Sequence, residues 1–161
     1  MNGGDIETIL LKTLGDQFKG VFCFDAWRSL KLSKPPAAYV FNTQPSSVKF
    51  GHWIAIFIQK NGKAIFFDSF GRSPANLGFL NFLEKHSKTW SYSNITVQNP
   101  FTAVSGQHVT CFLLKVCCSG TNAWRKLFSS DLLSNDNLVY KTIKNKFKIQ
   151  APLFPDFHFF M

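Results

Sequence analysis

Gly51-His52-Trp53-Ile54-Ala55-Ile56-Phe57-Ile58 runs through Gln59-Lys60-Asn61-Gly62-Lys63 into Ala64-Ile65-Phe66-Phe67-Asp68. Two apolar runs flank an Asn-Gly pair. Between two apolar strands that pair is the strongest short-range hairpin signal in the chain. A hairpin brings the start of its first strand against the end of its second. Those two places hold His52 and Asp68, sixteen positions apart. The pattern therefore predicts an imidazole and a carboxylate at the same end of one antiparallel ladder.

Such a pair has chemistry. A carboxylate on one ring nitrogen fixes the tautomer and leaves the other nitrogen free to take a proton from a nucleophile. Asp68 follows two phenylalanines and precedes Ser69-Phe70-Gly71, so it is expected to be at least half buried and to need a partner. The nucleophile read from the sequence is Cys111. It follows a polar loop, Pro100 to Val109, and opens an apolar run, Phe112 to Cys118, read as a helix. A helix N-terminus favours thiolate, and its free N–H groups hold an oxyanion. Cys117 and Cys118 lie about two turns further in, and Cys23 reads as an ordinary buried thiol. Gln107 is the candidate side-chain donor to the oxyanion, with Ser105 and Asn99 as alternatives. Trp53 either fills the core or walls a substrate cleft. His108 has no obvious carboxylate partner and reads as a loop histidine. The order His, Asp, Cys is the reverse of papain's, which argues against a papain-type fold.

The remaining composition bounds the class. A chain of 161 residues is expected to form one domain, 1–161, with a sizeable core. Hydrophobic residues make up 45% and charged residues 17%, which excludes the disordered class, and 19 phenylalanines imply an aromatic-rich interior. The net charge of +9, with lysines clustered at 141, 144, 146 and 148, favours a polyanion partner. No apolar run reaches the ~18 residues of a membrane span. The N-terminus, with Asp5 and Glu7, is not that of a signal peptide. Four cysteines without metal spacing predict no metal site, no disulfide framework and an intracellular, reducing setting.

Along the chain, residues 5–14 predict an amphipathic helix capped by Asp5, with Ile6, Ile9, Leu10 and Leu14 on one face. Residues 21–24 and 38–41 predict strands, with a loop at Lys34-Pro35-Pro36 between them. Ser73-Pro74 starts a helix over 75–86, and 95–97 reads as a strand. A last helix over 135–147 is capped by Ser134 or Asn135. The tail 151–161, with two prolines and four phenylalanines, is expected to pack on a groove or to be partly loose. There is no internal repeat.

These residues resemble a family. Gly51-His52-Trp53, Phe67-Asp68-Ser69-Phe70-Gly71 and Cys111 with Cys117 and Cys118 behind it are similar to the adenovirus protease (adenain) family and its Polinton, Maverick and adintovirus-type relatives. The resemblance covers roughly residues 5–148. It implies an α+β cysteine peptidase fold shared with the ubiquitin-like-protein proteases: a small mixed central sheet flanked by helices, the nucleophile at a helix N-terminus. It implies a His52-Asp68-Cys111 triad and an endopeptidase that matures viral structural precursors at Gly-containing sites. DNA is the activator it suggests, and the virion or host nucleus the place. Three departures stand out. Phe112 follows Cys111 where the family has glycine. The family's oxyanion glutamine lies six or seven residues before the nucleophile, where this chain has Ser105 at six and Gln107 at only four. The strand around Asn94 has no cysteine, so a viral activating peptide is expected to bind without a disulfide.

The leading expectation is thus a monomeric cysteine endopeptidase with a protein substrate. Its competitors are a catalytically silent relative that binds protein or nucleic acid, and a deconjugase of a ubiquitin-like modifier.

Overall fold

The computed structural model describes residues 1–48 and 51–154. The first segment is helix α1 (Gly3–Leu14), closed at its start by a reciprocal capping box. The N–H of Asp5 donates to Asn2 Oδ1 at 2.9 Å, and the N–H of Asn2 donates to Asp5 Oδ2 at 3.1 Å. The cap is therefore Asn2, and Asp5 is its partner in the first turn rather than the cap itself. Strands β1 (Phe18–Phe22), β2 (Ala37–Asn42), β3 (Trp53–Ile58) and β4 (Lys63–Asp68) follow. Helix α2 (Leu80–His86), strand β5 (Thr89–Tyr92), helix α3 (Ser105–Ser119) and helix α4 (Leu132–Phe147) complete the order.

The strands lie across one mixed sheet in chain order. β1 and β2 are parallel, β2, β3 and β4 antiparallel, and β4 and β5 parallel. The expected hairpin is β3–β4. At its turn Gly62 takes φ +85°, its N–H donates to Gln59 O at 2.8 Å, and Lys63 N–H donates to Asn61 Oδ1 at 3.0 Å.

Both faces of the sheet are covered, which is why its central strands read as unbroken apolar runs. Tyr39, Phe41, Ile54, Ile56 and Phe66 meet Trp27 and the α2 residues Phe82 and Leu83. Val40, Ala55, Phe57, Ile65 and Phe67 meet Ile6 and Leu10 of α1 and Val109, Phe112, Leu113 and Val116 of α3. The rings of Phe67 and Phe112 stack at 4.3 Å, tying the hairpin to α3. On its outer side α3 packs against α4 through Val139 and Ile143. α3 is thus held between the sheet and α4.

Several expectations shift. Residues 95–97 are not a strand; the strand in this region is β5, at one edge of the sheet, and the segment after it bonds back through Val97 N–H to Ser69 O at 2.8 Å. α2 begins at Leu80, after a turn in which Gly78 takes φ +75°. α4 begins at Leu132, three residues before the expected start, and is capped by Asp131, which accepts Ser134 N–H at 3.0 Å. The largest shift is α3, which begins at Ser105 and not at Cys111. Residues 155–161, most of the expected tail, lie outside the described residues.

Candidate active site

The predicted contact at the open end of the hairpin forms. His52 Nε2 and Asp68 Oδ1 are 2.5 Å apart. Asp68 closes β4 and pairs with Ile54, two residues beyond His52, so the ladder sets the two side chains side by side. Asp68 is fully buried and takes four hydrogen bonds. Besides His52 these come from Phe70 N–H at 3.2 Å, Arg72 N–H at 3.1 Å and Arg72 Nε at 2.8 Å. Burial pushes the carboxyl up, but the bonds and charges of His52 and Arg72 outweigh it and hold Asp68 at about 2. It is a carboxylate at any working pH.

The imidazole is fixed from several sides. His52 N–H donates to Thr43 Oγ1 at 3.3 Å, and His52 O accepts from Thr43 N–H at 2.8 Å. Phe70 stacks on the ring at 4.8 Å, and the Arg72 guanidinium lies 5.3 Å over the same phenyl. Gly51 is needed for this entry, because a Cβ there would stand 1.9 Å from Asn42 Oδ1. The imidazole keeps some contact with solvent, 13% of its side chain, while Asp68 has none.

The third element is the head of α3. Ser105, its first residue, is 8% exposed, and its Oγ accepts the N–H of Trp53, the residue after His52, at 3.3 Å. Gly106 lies against the indole of Trp53; a Cβ on it would meet Trp53 Cδ1 and the Met1 carbonyl oxygen, each at 3.3 Å. Trp53 also faces Gly3 and packs with the core between α1 and α3, so it wedges the two helix starts rather than standing free in a cleft. No side chain caps α3, which leaves the first-turn N–H groups of Ser105, Gly106 and Gln107 without an intrahelical partner.

Cys111 is not at this place. It is the seventh residue of α3, in its second turn, packed among Ile9, Val104, Val139 and Ile143. Burial pushes its thiol up to about 12, against a small opposing pull from Lys146. The expected thiolate at a helix mouth is therefore corrected: Cys111 lies a turn and more beyond the helix N-terminus that would have favoured it, and the sulfur sits in hydrocarbon. Gln107 is likewise not a loop donor. It lies in the first turn of α3, 1% exposed, with its Oε1 unpartnered among the described residues.

Sequence reasoning missed two groups here. Gln98 is buried and joins the end of β4 to the loop before α3. Its Oε1 accepts Ser69 Oγ–H at 2.6 Å, and its Nε2 donates to Thr102 O at 3.1 Å. His108 does have a carboxylate, Asp136 of α4, at 2.7 Å, with both side chains fully buried. Asp136 also accepts Thr102 Oγ1–H at 2.7 Å and Asn99 N–H at 3.1 Å. The signal for α3 was in the chain: Val109, Phe112, Leu113 and Val116 recur at helical spacing, so the helix had to start before Val109. Counted from Ser105, the next residue is glycine and a glutamine stands seven before, the spacing that fails at Cys111. Among the described residues no three metal-ligating side chains gather.

The amino-acid sequence matches no protein-family model and no curated protein. Its structure is similar to the crystal structure of the ASFV pS273R protease, with a TM-score of 0.57 at 17% identity over 88% of this chain. This chain spans 65% of the length of that protease. The five-stranded mixed sheet with its flanking helices is the fold that this chain shares with that protease.

Proposed function

We propose that the protein is a peptide-bond hydrolase in which His52 is the general base and Asp68 the group that orients it. The observation that carries this reading is the 2.5 Å bond from His52 Nε2 to an ionised Asp68. It leaves Nδ1 as the ring nitrogen that moves a proton, and it offsets the charge of the imidazolium that forms. The uncapped head of α3 supplies backbone N–H groups for an oxyanion. A protein chain is the substrate, cut at Gly-containing sites during maturation of viral structural proteins in the virion or host nucleus, as the adenain resemblance implies. DNA is the activator in this reading, and the net charge of +9 supports it. The protein acts as a monomer, and any activating peptide binds it without a disulfide. The test is cleavage of a Gly-containing peptide library by the full chain. Cleavage that vanishes in His52→Ala and persists in Cys111→Ala is the expected result; cleavage indifferent to His52 would overturn it.

One observation favours a second reading, a relative that binds protein without cutting it. The cysteine expected at the site is buried elsewhere. In that case peptides bind the wild type and His52→Ala alike, and neither cleaves them.

A further inference from the structure

We infer that Ser105 is the nucleophile of this site and that the protein works as a serine hydrolase. This rests on the peptidase reading above and names the group that reading leaves open. Three observations from three elements converge on it. The Ser105 hydroxyl is bonded to the backbone N–H of Trp53, so it hangs beside the residue that follows His52. That bond uses a lone pair of Oγ; no acceptor takes its hydrogen among the described residues, so the O–H is free to donate. On the other side, Asp68 occupies His52 Nε2 and leaves Nδ1 as the nitrogen able to receive that hydrogen. The close seat of Gly106 on the Trp53 indole sets the head of α3 against the start of β3, one residue after His52.

The chemistry suits the arrangement. A serine hydroxyl is not ionised at neutral pH, so its proton must leave as the new bond forms, and an oriented base is required. Ser105 Oγ attacks the carbonyl carbon while its proton passes to His52. The oxyanion faces the first-turn N–H groups of α3. The C–N bond then breaks, the amine leaves with the proton from His52, and an ester joins the acyl group to Ser105. Water attacks that ester, giving its proton to His52. The C–O bond to Ser105 breaks, Oγ recovers a proton from His52, and the acid is released. The sum is peptide plus water to acid plus amine, with no other reactant.

The experiment treats the full chain with a fluorophosphonate, which forms a stable bond with an activated serine, and locates the adduct by mass spectrometry. Ser105 should carry it. His52→Ala should slow labelling on the order of a hundredfold or more, Ser105→Ala should remove it, and Cys111→Ala should leave it within about twofold. A second variant, Ser105→Cys, is treated with iodoacetamide at pH 6, with the exposed Cys118 as internal control. If the wild type is not labelled while Ser105→Cys is alkylated faster than Cys118 and only with His52 present, the serine nucleophile is overturned and the peptidase-type site stands. If neither reacts, both readings fall.

Discussion

Two histidine–aspartate pairs stand on either side of the head of α3, near enough that the charge of His52 bears on His108. Their bonds are alike, 2.5 Å for His52–Asp68 and 2.7 Å for His108–Asp136. Their surroundings are not. His52 sits at the mouth of the sheet, keeps contact with solvent and is followed by Trp53, whose N–H donates to the Ser105 hydroxyl. His108 is sealed between α3 and α4; its Nδ1 has no partner among the described residues, and burial holds the ring below its ordinary range despite the pull of Asp136. An acid–base pair becomes a catalyst only where a proton can arrive and leave. The first pair is therefore read as chemistry, and the second as a bolt that joins α4 to α3 and to the 99–102 loop.

The sharpest way to break this comparison is to remove each histidine in turn. His52→Ala should cost roughly 10²–10⁴-fold in rate while the protein stays folded, because Arg72 and two backbone N–H groups still hold Asp68; peptide turnover and a melting curve check it together. His108→Ala should do the reverse. It takes one of three donors from a buried carboxylate and leaves a cavity, so the protein should lose about 3–5 kcal/mol of stability, read by urea denaturation, while whatever stays folded still takes the fluorophosphonate. A large rate loss in a fully folded His108→Ala protein would erase the distinction.

Acid sharpens it further. Asp68 has a folded value of about 2 against an ordinary 3.8, so it stabilises the fold above pH 4, and that contribution fades as pH falls from 4 to 2. Over that window the wild type should lose about 2 kcal/mol more than Asp68→Asn, measured by denaturation at each pH. Equal losses would mean that the carboxylate is not held by its neighbours. The smallest effect belongs to Cys111. With its thiol pushed up to about 12, it should react with Ellman's reagent at pH 8 only on unfolding, well after the exposed Cys118. Rapid modification of Cys111 in the folded protein would return it to the site.

The sequence made the first pair legible and hid the second. Asn61-Gly62 fixes a register by local turn chemistry, so the meeting of His52 and Asp68 follows from counting along two strands. His108 and Asp136 lie 28 positions apart on different helices, and only the packing of α3 on α4 joins them. The head of α3 was obscured for a related reason. Ser105-Gly106-Gln107-His108 is polar and contains glycine, which reads as a loop. All four residues are buried, because the start of β3, Met1 and α4 close over them. Tertiary contact overrode weak local preference, and with the helix start misplaced by six residues the cysteine was read in the place that Ser105 holds.

The position of α3, with the sheet on one side and α4 on the other, has a consequence for how the protein can fail. The backbone amides of its middle turns are reachable by solvent only when the layers separate. Hydrogen exchange there should report the global opening of the molecule, and the site built on its first turn should survive until that opening and not beyond. Heat or denaturant should therefore abolish activity and dissolve the interior in a single step, with no window in which an intact body carries a frayed centre.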